Sequence, residues 1–98
     1  MKRYEDLLEN VEVYVDGRDA WKRAKEEFKK PMRFDFERKV QGKWIRINFI
    51  DRVRFLKELQ RAGIHFILKK ATRGGCARIY IDEQDYERVE EIFIKLFL

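Results

Sequence analysis

The stretch RFDFERKVQGKWIRINFI, residues 33–50, alternates apolar and polar positions on both sides of Gln41-Gly42. Successive side chains of a strand leave the pleat on opposite faces, so period-two alternation is the mark of a half-buried strand. A glycine-containing pair between two such runs supplies a tight hairpin turn. The stretch therefore reads as a hairpin, with Phe34, Phe36, Val40, Ile45, Ile47 and Phe49 on its apolar face. Asn48 or Asp51 can cap the helix that follows, in which Val53, Leu56 and Leu59 recur at helical spacing until Gly63 ends it.

Toward the C-terminus the pattern returns. A second hairpin is expected from about Ile64 to Asp82 through Arg73-Gly74-Gly75, with Ala77, Ile79 and Ile81 inward. Asp82 then caps a last helix whose apolar stripe is Tyr86, Val89, Ile92, Phe93 and Leu96. Residues 42–59 and 75–92 form two strand-helix arms, each preceded by its own strand. They share a glycine turn, an arginine flanked by apolar residues (Arg46, Arg78) and an acid at the helix start (Asp51, Asp85), which makes a weak ββα repeat. Toward the N-terminus, VEVYV (residues 11–15) is a short strand closed by Asp16-Gly17. Asp19 is placed to cap a helix from Ala20 to Lys30, with Trp21, Ala24 and Phe28 on one face and Pro31 ending it; Tyr4 to Asn10 can form an earlier helical turn. Every apolar face is satisfied if the helices lie on one side of one antiparallel sheet. The expectation is a single α+β domain over residues 1–98: a ββα-ββα antiparallel sheet with helices packed on one face, behind a short strand-helix head.

The order helix, ββα, ββα, carried by FDFERKVQGKWIRINF, DRVRFLKELQRAGI and RIYIDEQDYERVEEIF, resembles the half-domain topology of LAGLIDADG homing endonucleases over about two-thirds of the chain. The resemblance implies a concave sheet that binds DNA. The family's signature helix ends in a metal-binding acid, and Ala20 to Lys30 holds no comparable motif, so no catalytic residue is carried over.

Composition limits the chemistry further. The 98 residues include no serine, one threonine (Thr72), one histidine (His65), one cysteine (Cys76) and one proline (Pro31). A serine nucleophile and an internal disulfide are excluded, and a zinc site would have one Cys and one His to draw on. No structural metal or cofactor is expected. Charged residues make up 42% of the chain, against roughly 25% in average proteins. The excess of Lys, Arg and Glu over Asn, Gln, Ser and Thr points to a hot environment. The N-terminus MKRYEDLLEN has acids where a signal peptide needs an apolar run, and no stretch approaches the ~20 apolar residues of a membrane span. A cytoplasmic protein with no membrane partner is expected.

The net charge of +5 is unevenly spread. Residues 1–32 are neutral, residues 33–78 carry 13 Lys/Arg against 4 Asp/Glu, and residues 79–98 carry 2 against 6. On the hairpins, inward Ile45, Ile47 and Ile79 put Trp44, Arg46, Arg78 and Tyr80 on the opposite face, together with Arg33, Lys39 and Lys69. Asn48, Cys76, Asp35, Glu37 and His65 lie alongside. Arginines interleaved with aromatics meet phosphates with their charge and bases with their rings, so these seven residues are the expected interface for DNA or RNA in a non-catalytic module. The same face can instead be solvated through cross-strand pairs such as Glu37 with an arginine, or can meet an acidic protein partner.

Three smaller motifs have alternative readings. Glu37-Arg38-Lys39 has the E-x-K form of metal-dependent nucleases, with Asp16 or Asp35 as the second acid, or it is a charged strand edge. Cys76 and His65 fall in adjacent strands and could couple, although a lone strand cysteine is usually a small packed residue. Arg73-Gly74-Gly75 opens a strand, which makes it a hairpin turn in preference to a phosphate cradle. The run Ile92-Phe93-Ile94-Lys95-Leu96-Phe97-Leu98 is apolar on nearly all sides of its helix, so it either completes the core or joins another subunit, and a homodimer is expected in which this helix takes part through Ile94 and Leu98, opposite the core stripe.

Overall fold

The computed structural model describes residues 3–98 and confirms the α+β class. Gln41 and Gly42 both adopt positive φ, 51° and 81°, the backbone a tight hairpin turn requires. They join β3 (Glu37–Val40) to β4 (Lys43–Arg46), with Glu37 opposite Arg46 and Lys39 opposite Trp44. The strand expected to run unbroken from Arg33 to Val40 bends at Phe36 and serves two sheets: β2 (Pro31–Asp35) pairs with β6 (Arg78–Asp82), while β3 pairs only with β4. The cause lies in the partner strand. Asp35 faces Arg78, the first residue of β6, so beyond Asp35 the chain has nothing to pair with and turns away. Phe36 stays buried, edge-on to Phe55 at 6.2 Å between ring centroids.

The main sheet has the order β1-β5-β6-β2, with β1 spanning Glu12–Tyr14 and β5 spanning Ile67–Lys69. The β5–β6 hairpin is antiparallel as expected, but β1 runs parallel to β5, so the sheet is mixed. By this register β2 is also parallel to β1. Two parallel strands need a crossover over the sheet face, and α2 (Gly17–Glu27) is that crossover, a split β-α-β unit with the β5–β6 hairpin between its strands. The helices therefore do not share one face: α2 covers one side of the sheet, and α3 (Phe49–Arg61) and α4 (Tyr86–Phe97) cover the other. Ala20 and Ala24, small and fully buried, let α2 approach Ile67 and Tyr80 closely. Asp16, and not Asp19, is the N-cap, accepting from the Arg18 backbone N–H at 2.7 Å; the helix ends at Glu27, and Pro31 opens β2. Arg23 on α2 ties down β1, donating from Nε to Glu12 Oε2 at 2.8 Å. That bond holds the Glu12 carboxyl below its ordinary range.

The opposite face holds the larger core. Phe34, Phe55 and Phe93 meet at 5.4–5.7 Å between centroids, with Leu56, Leu59, Leu68, Ile79, Ile81 and Val89 fully buried around them. Asn48 caps α3 through Oδ1, which accepts from the Asp51 backbone N–H at 2.9 Å. Asp82 caps a 3-10 turn, Glu83–Asp85, that precedes α4. A short helix α1 (Tyr4–Leu7) adds Tyr4 to this core, 4.7 Å from the Phe49 ring. Ile45 and Phe49, expected to be buried, are half-buried, Phe49 as the first residue of α3. On α4, Ile92, Ile94, Leu96 and Phe97 are half-buried against the core; Leu98, just past the helix, is half-exposed. Thus Ile94 packs against the core that the sequence placed it opposite. The β3–β4 hairpin is clamped to α4 by Arg38, whose Nη2 donates to Tyr86 Oη at 2.9 Å and to Glu90 Oε2 at 3.0 Å while its guanidinium stacks 4.0 Å over Phe34. The two hairpins do not form the single concave sheet implied by the endonuclease resemblance.

Candidate functional site

On the α2 side of the sheet the register sets Asp35, Arg78, Lys69 and Tyr14 side by side in one row, and Arg33, Tyr80, Ile67 and Glu12 in the next row but one. Because α2 lies over the second of these, Tyr80 is only 4% exposed, against Trp21 at 5.5 Å between centroids. Tyr80 is therefore core, and the expectation that it faces a ligand is corrected by the crossover helix. Lys69 is 6% exposed, its Nζ donating to the Cys76 carbonyl at 2.8 Å. It is a strut under the loop of residues 70–77 and does not reach solvent as an interface lysine. Gly75 makes room for it, since a Cβ there would sit 2.8 Å from Lys69 Nζ.

The remaining five residues stay at or near the surface. Arg33 and Arg78 extend beyond the cover of α2, and the β3–β4 hairpin brings Trp44 and Glu37 to them. With Asp35 and Cys76 these residues line a concavity of about 290 Å³. Trp44 is 72% exposed, the most exposed large apolar side chain among the described residues. Arg46 and Lys39 share its face of the hairpin, by the alternation of β3 and β4. Five of the seven expected interface residues thus fall around one site, Lys39, Trp44 and Arg46 on the uncovered polar face of the β3–β4 hairpin and Arg33 and Arg78 on the strands of the main sheet next to it.

The arginines are already engaged. Asp35 Oδ1 lies 3.3 Å from Arg33 Nε and 3.7 Å from Arg78 Nε, and Arg46 Nη2 donates to Glu37 Oε1 at 3.0 Å. The cross-strand Glu37–arginine pair expected from the alternation is present. Asp35 Oδ1 and Arg78 Nε are closed off from solvent, yet neither has a hydrogen-bonding partner among the described residues, so Coulomb attraction alone links them. The site is therefore a mosaic of donors and acceptors: four cations (Arg33, Lys39, Arg46, Arg78) set against two carboxylates.

The E-x-K triplet divides between two faces. Glu37 and Lys39 point outward and Arg38 points to α4, while Asp35 and Glu37, the paired acids of a nuclease reading, are both held by arginines. Among the described residues no three His, Cys, Asp or Glu side chains converge. The Cys76–His65 couple does not form. Extending the β5–β6 register places His65 opposite Asp82 and Cys76 opposite residue 71, at opposite ends of the hairpin and roughly 20 Å apart at ~3.3 Å per residue. His65 sits instead 3.5 Å from Glu27 Oε1. Thr72 to Gly75 is a plain turn, with Gly74 at φ 82° and the Gly75 N–H donating to the Thr72 carbonyl at 2.8 Å. Two features escape the sequence reading. One is the crossover, signalled by the small-residue spacing of Ala20 and Ala24. The other is the Arg38 clamp, for which an arginine on the apolar side of an alternating strand is the signal. Comparison with protein-family models, with curated proteins and with solved structures gives no match to this chain.

Proposed function

We propose that this chain is a non-catalytic nucleic-acid-binding module that grips single-stranded DNA or RNA at the β3–β4 hairpin, with Trp44 as a stacking platform and Arg33, Lys39, Arg46 and Arg78 as phosphate and base contacts. The observation that carries the reading is Trp44: an indole 72% exposed at the rim of an arginine-lined concavity, in a chain with net charge +5. Exposing so large an apolar ring works against solubility and adds nothing to the core, whereas a base stacked on such a ring contributes about 1–3 kcal/mol. Lys69 and Tyr80 support the surface from within. Of the two residues expected to join a homodimer, Leu98 alone is half-exposed, and the interface reading does not depend on a dimer.

Anisotropy of labelled single-stranded and duplex oligonucleotides at two salt concentrations tests the reading. Wild-type protein binds single strands more tightly, and its affinity falls with salt. Arg33→Ala/Arg46→Ala, at two exposed positions, weakens binding across sequences and flattens the log-log salt slope by roughly one unit for each phosphate no longer neutralised. Trp44→Ala costs about 1–3 kcal/mol on single strands and less on duplex. Unchanged binding by the double variant sinks the assignment. If the parent does not bind even at low salt, an acidic protein partner inherits the surface.

A further inference from the structure

We infer that the concavity beside Trp44 reads guanine, an inference that rests on the nucleic-acid reading and names the base it prefers. A surface that only follows a phosphate backbone needs cations. Here Asp35 and Glu37 line the pocket among the arginines, and each would repel a phosphate. Both carboxylates are oriented by arginines through one oxygen: Asp35 through Oδ1, between Arg33 and Arg78, and Glu37 through Oε1, on Arg46. The second oxygen of each accepts no hydrogen bond among the described residues, and the two side chains are 34% and 41% exposed. The site therefore offers oriented acceptors next to the guanidinium donors of Arg33 and Arg78, with the Trp44 indole on the same lining.

Among the four common bases only guanine complements that set. Its Watson–Crick edge presents two adjacent donors, N1–H and N2–H₂, which carboxylates accept, and beside them O6 and N7, which a guanidinium fork donates to. Adenine and cytosine each offer one exocyclic amine beside a ring acceptor that a carboxylate repels, and uracil or thymine offers a single N–H between two carbonyls. A volume of about 290 Å³ lies at the lower bound for ligand pockets and suits one base, with the indole as its stacking partner.

The test uses the full chain and a labelled oligo-thymidine strand, alongside the same strand with its central nucleotide changed to guanine, adenine, cytosine or inosine. Guanine is expected to bind roughly tenfold more tightly than thymine, and inosine, which lacks the N2 amine, to lose most of that gain. Competition by guanosine monophosphate separates the two sources of the base: displacement at the concentration of the guanine strand itself marks a free nucleotide, and far weaker displacement marks a strand. Asp35→Asn brings the guanine-to-thymine affinity ratio toward one. Should that substitution unfold the sheet end, Glu37→Gln on the exposed hairpin reports the same ratio. Equal affinity for all five strands, or a ratio unchanged in both variants, overturns the guanine inference and leaves nucleic-acid binding in place. Failure to bind any strand at low salt overturns both.

Discussion

Hairpin β5–β6 lies in the middle of the four-stranded sheet with Ile67, Leu68, Ile79 and Ile81 fully buried, whereas hairpin β3–β4 forms a sheet of its own whose Glu37, Lys39, Trp44 and Arg46 face outward. Both hairpins alternate, both have glycine near the turn, and both lead into a helix. The difference is in the polar positions. β5 reads Ile-Leu-Lys directly after Phe66, an almost continuous apolar run that can be covered on both sides, by α2 on one and by α3 and α4 on the other. β3 and β4 read Glu-Arg-Lys-Val and Lys-Trp-Ile-Arg, with a charge at nearly every other position, which tolerates cover on one side only. One hairpin therefore became scaffold, and the other became surface.

The largest expected effect breaks the scaffold hairpin. Ile79→Ala in β6, where the side chain is fully buried between Leu68 and Phe34 in the register, should destabilise the protein by about 2–5 kcal/mol, much of a small domain's total stability. Ile45→Ala in β4, at a half-buried position, should cost about 1–2 kcal/mol. Urea midpoints at unchanged slope measure both, and equal losses would remove the distinction between the hairpins.

A smaller effect tests what holds the surface hairpin in place. Arg38→Met keeps the aliphatic stem but loses the bonds to Tyr86 and Glu90 and the stacking on Phe34, at a cost of about 1–2 kcal/mol. Hydrogen exchange should locate the loss. Amides of Glu37–Arg46 should exchange faster while those of Ile79–Ile81 stay protected. A uniform loss of protection would instead make the hairpin part of the main cooperative unit.

The contrast between the hairpins is partly legible in the sequence. Alternation and Gln41-Gly42 set the β3–β4 turn and its register, Asn48 and Gly63 mark the limits of α3, and the stripe of Val89 and Phe93 is visible in α4. What stays hidden is relational. That β1 runs parallel to β5 is a property of two strands 55 residues apart, and it decides that α2 must cross over Tyr80. A tyrosine in an alternating strand has an outward side by pattern alone, but whether water or a helix lies there depends on an element placed by topology. Lys69 departs from expectation for a related reason. It sits on the polar side of its strand as the pattern predicts, and the loop of residues 70–77 folds back onto its amine. Trp44 and Arg46 do reach the surface, because no other element covers their face, and Arg33 does so because β2 is the edge strand of its sheet.

At the far edge of the main sheet, the bond from Arg23 to Glu12 gives a pH-dependent contrast. The Glu12 carboxyl titrates below its ordinary 4.5 when folded, mainly because Arg23 donates to it. A depressed folded value means that the pair stabilises the protein above the unfolded value and that this contribution is lost as the pH falls through the folded one. Glu12→Gln should therefore lower the melting temperature modestly near neutral pH, and the difference from wild type should shrink as the pH falls below the ordinary carboxylate value and close once it has passed the depressed folded one. A constant difference at every pH would assign the effect to packing of β1 and not to the charge.

The smallest effect on stability is expected where the effect on binding is largest. Trp44 and Arg46 lie on the uncovered face of β4, and the ion pair of Arg46 with Glu37 is open to solvent, where such pairs contribute about 0–1 kcal/mol. Trp44→Ala and Arg46→Ala should each change the free energy of unfolding by no more than about 0.5 kcal/mol. The unfolding midpoint should barely move while single-strand affinity falls several-fold. That dissociation separates a residue kept for binding from one kept for packing. If Trp44→Ala destabilises as Ile45→Ala does, the indole is covering the hairpin's own core, and its exposure no longer argues for a ligand. If neither stability nor affinity moves, the uncovered face of β3–β4 is a solvated surface, and any ligand site lies away from this hairpin.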